Sequence, residues 1–225
     1  MLPDIILLDG PVGSGKGTQA YLLNQKFGYN QFGFSNELRD FVDTYSQDSN
    51  HPNYSKAVEI QEIMQKGDNV SPEDLFFTAG NKIEKLIAEN KKIVIDSAKN
   101  IEAFQWLADT ARKHGLNGLF IRLNLSIDIS IERLSHRYYA PNLKDVPFVN
   151  YDQALKNCLP GQIPIRRADD ENKERVFRQY ELYSENEDKI KDIMVNQGQF
   201  KCLDIFASDS IETVFDNILE YLQEL

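Results

Sequence analysis

The sequence predicts an α/β fold of three layers, in which helices cover both faces of a five-stranded parallel sheet. Apolar runs typical of buried strands recur along the chain, and stretches with helical periodicity separate them. This alternation of strand and helix predicts parallel strands joined by helical crossovers. The strand candidates are residues 5–8, 92–96, 119–125 and 200–206, with a weaker fifth candidate at 32–34.

A glycine-rich run follows the first predicted strand and precedes a predicted helix at residues 19–27. It reads Gly10-Pro-Val-Gly-Ser-Gly-Lys-Gly-Thr18, and its glycines allow the backbone to turn successive N–H groups towards phosphate oxygens. The helix N-terminus adds partial positive charge, Lys16 reaches the outer phosphates, and a hydroxyl of Ser14 or Thr18 faces a magnesium ion. The run therefore predicts a phosphate-binding loop (P-loop) for a triphosphate.

The alternative interpretation of this run is an ordinary turn with a solvent-facing Lys16. It is disfavoured because the strand and the helix that confirm a P-loop are present on both sides. The run departs from the generic pattern at Gly17, since a hydroxyl residue usually follows the lysine and here comes one position later. The predicted nucleotide-binding residues are Gly13, Ser14, Gly15, Lys16, Gly17 and Thr18.

The composition is that of one globular domain spanning residues 1–225. A formal net charge of −10 disfavours a general nucleic-acid binder, because that surface would repel phosphate chains. Cys158 and Cys202 lack the spacing of a zinc cluster, and we expect a reducing, cytoplasmic compartment. No apolar run reaches the ~18 residues of a membrane span, and the chain enters its first strand directly. We therefore expect neither a membrane segment nor a signal peptide.

Two segments interrupt the alternation of strands and helices. Residues 35–70 are polar and helical in pattern, with a loose stretch at 45–53. Residues 138–166 mix aromatic residues with Asn, Asp and four prolines and show no clean period. A segment of that length without periodicity is typical of a lid or a binding loop. We therefore predict two insertions, at 35–70 and at 138–166, and expect the second to be a lid.

Arginines flank the predicted lid. Arg133 and Arg137 are four residues apart and share a helix face, and Arg167 and Arg178, eleven apart, again project from one face. Fixed guanidinium groups stabilise the charge that develops when a phosphoryl group is transferred. Taken singly, each arginine is more readily explained as solvated or paired with a nearby acid such as Glu132, Asp169 or Glu181. Together with the P-loop, the four arginines favour a site that closes over two nucleotides.

These motifs resemble the adenylate kinase family of nucleoside monophosphate kinases along nearly the whole chain. The P-loop matches the family's loop, including the Gly-Thr after the lysine. Other matching segments are Phe27-Gly28, Asn36-Glu-Leu-Arg39, Gly67-Asp-Asn-Val-Ser71, Ser-His-Arg137, and Gly161 followed by Arg167-Ala-Asp-Asp170.

The resemblance implies an enzyme that transfers the γ-phosphoryl group of ATP, with Mg²⁺, to AMP. Residues 35–70 would bind the monophosphate and residues 138–166 would form the lid of a cytoplasmic monomer. The implied catalytic residues are Lys16, Arg133, Arg137, Arg167 and Arg178, of which Arg133 and Arg137 would also bind ATP. The implied acceptor-binding residues are Phe34, Arg39, Asn69, Val70, Lys99, Asn100, Gln105, Arg167 and Arg178. Asp96 would orient Mg²⁺ through water.

The chain departs from the family's motifs on the acceptor side. Phe34-Ser35 replaces a Thr-Gly pair, Asn100 stands at an arginine position, and Phe104 stands at a base-reading glutamine with Gln105 beside it. Phe34 and Phe104 would therefore offer stacking surface in place of polar contacts with the base. The family's zinc cysteines are missing from the lid, so we expect no structural zinc. These departures predict that AMP is accepted less exclusively and with a raised Michaelis constant.

Three alternatives remain open on the sequence alone. The acceptor could be a pyrimidine or deoxynucleoside monophosphate. The chain could instead be a regulatory protein that binds ATP without transferring phosphate, which the missing arginine at Asn100 favours and the presence of Arg39, Arg167 and Arg178 disfavours. A small-metabolite kinase of the same broad fold fits the long lid less well.

Overall fold

The computed structural model describes residues 1–96, 98, 100–143 and 146–225, with only the backbone described at 168 and 169. In chain order, the strands are β1 (Ile5–Asp9), β2 (Asn30–Phe32), β3 (Ile93–Asp96), β4 (Gly118–Asn124), β5 (Tyr138–Tyr139), β6 (Pro147–Phe148) and β7 (Lys201–Phe206).

Helices connect and cover these strands. They are α1 (Lys16–Phe27), α2 (Phe34–Tyr45), α3 (Tyr54–Lys66), α4 (Pro72–Leu75), α5 (Asn81–Ala88), α6 (Ile101–His114), α7 (Ile127–Ser135), α8 (Tyr151–Lys156), α9 (Ala168–Glu171), α10 (Lys173–Ser184), α11 (Glu187–Asp192) and α12 (Ile211–Glu224), with π-helical turns at Phe76–Gly80 and Ile193–Gln197.

The central sheet has five parallel strands in the order β2-β3-β1-β4-β7, which confirms the predicted fold class. The fifth strand lies at Asn30–Phe32, earlier than the candidate at 32–34. Its start is set by pairing with β3, where Asn30 lies opposite Ile93. Phe34 then begins α2, with Gly33 as its N-cap.

Side chains along β1 alternate between two apolar layers, which is why helices cover both faces of the sheet. Ile5 and Leu7 pack in one layer, beneath α2, α5 and α6. Ile6 and Leu8 pack in the other layer, against α1 and α12. Burying each large apolar side chain contributes roughly 1.5–3 kcal/mol relative to exposure, so this alternation stabilises the three-layer arrangement.

Each of the two interrupting segments has a regular structure of its own. Within residues 35–70, α2 and α3 are joined by a loop at 46–53. Within residues 138–166, β5 and β6 form an antiparallel hairpin, α8 follows, and Tyr139 pairs with Ile165 to close the segment. Elements of two to six residues are too short to produce a visible period, which explains the irregular sequence pattern.

Candidate functional site

A cleft of about 950 Å³ opens at the carboxyl edge of the central sheet. The loops that follow parallel strands meet at this edge, where ligands bind in open α/β sheets. The P-loop, the start of α2, the loop after β3, α7, the 138–166 segment and α10 all contribute to its walls. Residues that are far apart in the sequence therefore face one space.

The P-loop turns sharply between β1 and α1. Gly13 and Gly15 have φ angles of 82° and 96°, which favour glycine, and Gly15 is the N-cap of α1. A side chain at Gly10 would collide with the carbonyl oxygen of Leu123 and lie 2.8 Å from Ser14 Oγ. Gly13, Gly15, Gly17 and Thr18 line the cleft, so the first turn of α1 presents its N–H groups and partial positive charge there.

Lys16 is held by the loop that carries it. Its ammonium donates hydrogen bonds to the carbonyl oxygens of Gly10, at 2.7 Å, and Pro11, at 2.8 Å. Burial lowers the pKa of Lys16 to about 8, while the nearby charges of Asp9 and Asp96 act in the opposite direction. Lys16 therefore remains mostly protonated at pH 7 and lies where phosphates would approach the loop.

A row of alternating charges runs across the sheet from this lysine. Asp9 lies opposite Arg122 on β4, and Arg122 lies opposite Asp204 on β7. Arg122 Nε donates to Asp204 Oδ1 at 2.5 Å, and Lys191 Nζ donates to Asp204 Oδ2 at 2.7 Å. Burial raises the pKa of Asp9 to about 6, with Lys16 and Arg122 acting against that shift. Asp9 is thus a buried acid directly beneath the P-loop.

Arg39, Arg137 and Arg167 meet on the other side of the cleft. Arg137 donates to both carboxylate oxygens of buried Asp170, with a distance of 2.9 Å from its Nε to Oδ2. Burial lowers the pKa of Arg167, and the positive charges of Arg39 and Arg137 lower it further. Three guanidinium groups gathered at one part of the cleft wall suit an anionic ligand.

Arg133 and Asn100 line the cleft and are each tied to other parts of the fold. Arg133 on α7 donates to the carbonyl oxygen of Asp209 at 3.2 Å. Asn100 caps α6, because its Oδ1 accepts from the Ala103 N–H at 2.9 Å, and its Nδ2 donates to the Val70 carbonyl at 3.1 Å. The side chain of Asn100 therefore joins the start of α6 to buried Val70, which follows Asn69 of the cleft wall.

Four residues predicted to bind the acceptor do not line the cleft: Phe34, Val70, Gln105 and Arg178. Val70 is buried in the core. The ring of Phe34 is fully buried in the core, where it packs edge-on against Phe32, so it offers no stacking surface to a base. Gln105 reaches along α6 to Asp109, at 3.4 Å. Arg178 pairs with Asp68 at 3.3 Å, and its side chain is half exposed. Lys99 lies outside the described residues, and Phe104 borders the cleft but is 1% exposed.

Arg175, one helical turn before Arg178, occupies the cleft wall instead. It is 5% exposed, and its Nε donates to the carbonyl oxygen of Met64 at 2.9 Å. The eleven-residue spacing of Arg167 and Arg178 assumed one continuous helix. The helix breaks at Asn172, which has extended backbone angles and caps α10, so the face of α10 is rotated relative to α9.

Similar proteins cover nearly the whole chain, although no protein-family model matches it. The adenylate kinase of Thermococcus kodakarensis is 28% identical over 82% of this chain and 80% of its own length. The adenylate kinase of Hydrogenobaculum sp. is 27% identical over 97% of this chain and 100% of its own. The chain is similar to adenylate kinases along nearly its whole length. The adenylate kinase of Chlamydia felis, 25% identical, aligns over 100% of both chains.

Asp96 and the hydroxyls of the P-loop provide the donors that fit magnesium. Asp96 and Thr18 line the cleft, and buried Ser14 lies within the loop between them. Carboxylate and hydroxyl oxygens are the hard ligands that Mg²⁺ prefers. Among the described residues, no group of three or more His, Cys, Asp or Glu side chains is placed to hold a metal ion. This donor set suits a magnesium ion that arrives with a nucleotide.

Asp9, Tyr139 and Arg175 line the cleft but are missing from the set predicted from the sequence. A signal existed for two of them. Asp9 is a charged residue at the end of an apolar strand, and Asn172 marks a helix start three residues before Arg175. Tyr139 gave no such signal, because its position depends on the pairing of β5 with distant residues.

Within the described part of the chain, no helix has the length and hydropathy of a bilayer-spanning segment.

Proposed function

We propose that the chain is an ATP-dependent nucleoside monophosphate kinase and that AMP is its preferred acceptor. The observation that carries this proposal is that two sets of basic groups line one cleft: the P-loop with Lys16, and the cluster of Arg39, Arg137 and Arg167. A protein that only binds ATP has no need of the second set. Similarity to adenylate kinases over the length of the chain supports the same reaction.

In the proposed reaction, an oxygen of the acceptor's phosphate attacks the γ-phosphorus of ATP. The bond between that phosphorus and the β,γ-bridging oxygen breaks, its electron pair leaves with ADP, and AMP becomes a second ADP. Lys16 and the arginines neutralise the charge spread over the transferred group and align the two phosphates. When bound with ATP, Mg²⁺ supplies further positive charge, and Asp96, Ser14 and Thr18 are the residues that would hold it or its waters.

The two interrupting segments have separate roles in this proposal. Residues 35–70 contribute Arg39 and Asn69 to the cleft and would bind the monophosphate. Residues 138–166 contribute Tyr139 and the Pro147–Phe148 strand, and would close over the phosphates and exclude water. We further propose that the enzyme acts as a cytoplasmic monomer, that its partners are the two nucleotides, and that it binds neither nucleic acid nor zinc.

A coupled assay of ADP formation against AMP, CMP, UMP, GMP and their deoxy forms tests this function. Lys16→Met protein, purified in parallel, controls for contaminating kinase from the host. We expect transfer by the wild type, fastest with AMP, and loss of transfer in the variant. A preference for CMP or UMP would reassign the acceptor. ATP binding without transfer to any monophosphate would favour the regulatory alternative and contradict the proposal.

A further inference from the structure

Two arginines of the cleft lie over the ring of Tyr139. The guanidinium carbon of Arg167 is 4.0 Å from the ring centroid, and that of Arg137 is 5.5 Å away. Both distances are within the range in which an aromatic face attracts a cation. Tyr139 itself is 1% exposed, so these contacts are shielded from water and are stronger than similar contacts at a surface.

The backbone explains why these three side chains meet. Tyr139 and Ile165 exchange both backbone hydrogen bonds, each 2.9 Å long. Arg137 precedes Tyr139 by two residues and Arg167 follows Ile165 by two, which places each arginine beside the paired residues. One short ladder between the ends of the 138–166 segment therefore sets the positions of the ring and of both guanidinium groups.

The arginines around this ring repel one another. Arg39, Arg137 and Arg167 lie close enough that the charges of the first two lower the pKa of the third. Arg137 also donates two hydrogen bonds to Asp170. Arg167 makes the closer contact with the ring, so the loss of the ring should displace Arg167 more than Arg137.

We propose that Tyr139 is a positioning residue that holds Arg137 and Arg167 in the geometry that receives the phosphates. The inference rests on the proposed function for its kinetic consequence. Because the Tyr139–Ile165 ladder fixes the backbone beside both arginines, replacing the ring alone should disturb the guanidinium groups without moving the backbone.

Tyr138 offers a matched control for Tyr139. Its ring also has an arginine above it, with the guanidinium carbon of Arg166 5.7 Å from the centroid, and it packs edge-on against Tyr151. It belongs to the same strand and is half-buried, but neither Tyr138 nor Arg166 lines the cleft. Tyr138→Leu therefore removes a comparable aromatic contact from the same segment without touching the phosphate-binding arginines.

The test compares Tyr139→Leu, Tyr139→Phe and Tyr138→Leu by kcat, by KM and by ATP affinity from calorimetry, at temperatures below the unfolding of each variant. We expect Tyr139→Leu to lower kcat about tenfold, with a smaller change in the KM for ATP. Tyr139→Phe, which keeps the ring, should recover most of that loss. Tyr138→Leu should lower thermal stability without this fall in kcat.

Equal losses of kcat in Tyr139→Leu and Tyr138→Leu would overturn the inference, because they would point to packing of the segment alone. An equal loss in Tyr139→Phe would also overturn it, since the hydroxyl and not the ring would then matter. If the wild type binds ATP but transfers phosphate to no monophosphate, the proposed function fails. Calorimetry then tests the role of Tyr139 without a transfer assay. Weaker ATP binding in Tyr139→Leu than in Tyr139→Phe supports the positioning role, and equal binding contradicts it.

Discussion

The two ends of the cleft hold their positive charges by different means. At the loop end, the groups come from one continuous segment, residues 10–18, and Lys16 is anchored to the loop's own carbonyl oxygens. At the arginine end, the groups come from α2, the edges of the 138–166 segment and α10. Each arginine there depends on contacts with another element, such as Asp170, the ring of Tyr139 or the carbonyl of Met64.

This difference separates two kinds of preorganisation. The loop end is complete once β1 and α1 pack together, because its geometry is local. The arginine end is complete only when the 138–166 segment and α10 are in place. Substitutions at the loop end should therefore affect every phosphate-dependent step, whereas those at the arginine end should mainly affect alignment and transfer.

The largest effect is expected from Lys16→Met at the loop end. Lys16 is the charged residue of the loop at 10–18, and removing one preorganised donor costs at least ~10² in turnover. The free energy of unfolding should change little, because methionine fills the space of the lysine stem and the variant no longer buries a charged group. Steady-state kinetics and urea unfolding measure both quantities. A variant that keeps more than about half its turnover would contradict the P-loop assignment.

Arg175 and Arg178 provide a matched pair at the arginine end. Arg175→Met should lower kcat/KM for the acceptor about tenfold or more, since a buried guanidinium is lost from the cleft wall. Arg178→Met should change it by less than about twofold, because exposed ion pairs contribute little. The reverse ranking would support the sequence-based prediction that Arg167 and Arg178, eleven residues apart, act in the same site.

The pH profile tests the link between Asp9 and Lys16. Lys16 has a pKa of about 8, and its ammonium is the form that binds phosphate. The value of kcat/KM for ATP should therefore be retained below this pKa and fall as the pH rises through it. Asp9 and Asp96 raise this pKa, and Arg137 lowers it. Asp9→Asn should move the alkaline limb to lower pH.

Asp204→Asn is the control for that experiment. It removes a carboxylate from the far end of the same charge row, where Asp204 bonds Arg122 and Lys191. We expect its alkaline limb to lie close to that of the wild type. A limb that moves equally in both variants, or in neither, would rule out a direct effect of Asp9 on Lys16.

The smallest effect is expected from Asn100→Ala. This change removes the N-cap of α6 and the bond to the Val70 carbonyl, and it should lower the free energy of unfolding by about 1 kcal/mol. Asn100→Asp keeps the cap and should lower the free energy of unfolding by less. Urea unfolding compares the two variants. If Asn100→Ala instead raises the KM for AMP tenfold without a change in stability, Asn100 acts on the acceptor and not on the fold.

The sequence predicted the local parts of the molecule better than the assembled ones. The sheet and the positions of residues 13–18 follow from contiguous patterns, in which a strand, a glycine turn and a helix start stand side by side. Phe34 was misplaced because a resemblance in position does not reveal which way a side chain points. Its apolar ring is fully buried, which is worth roughly 1.5–3 kcal/mol relative to exposure. Arg178 lies outside the cleft wall because one capping residue, Asn172, interrupts the helix on which the spacing depended.

Hydrogen exchange with and without a bisubstrate analogue, two adenosines joined through phosphates, most directly tests whether both ends of the cleft act on one pair of phosphates. ATP alone should slow exchange mainly in residues 10–18. The analogue should in addition slow exchange in residues 34–45 and 138–166, because it engages the arginine end and closes that segment. Slowed exchange confined to residues 10–18 with either ligand would contradict a site for two nucleotides.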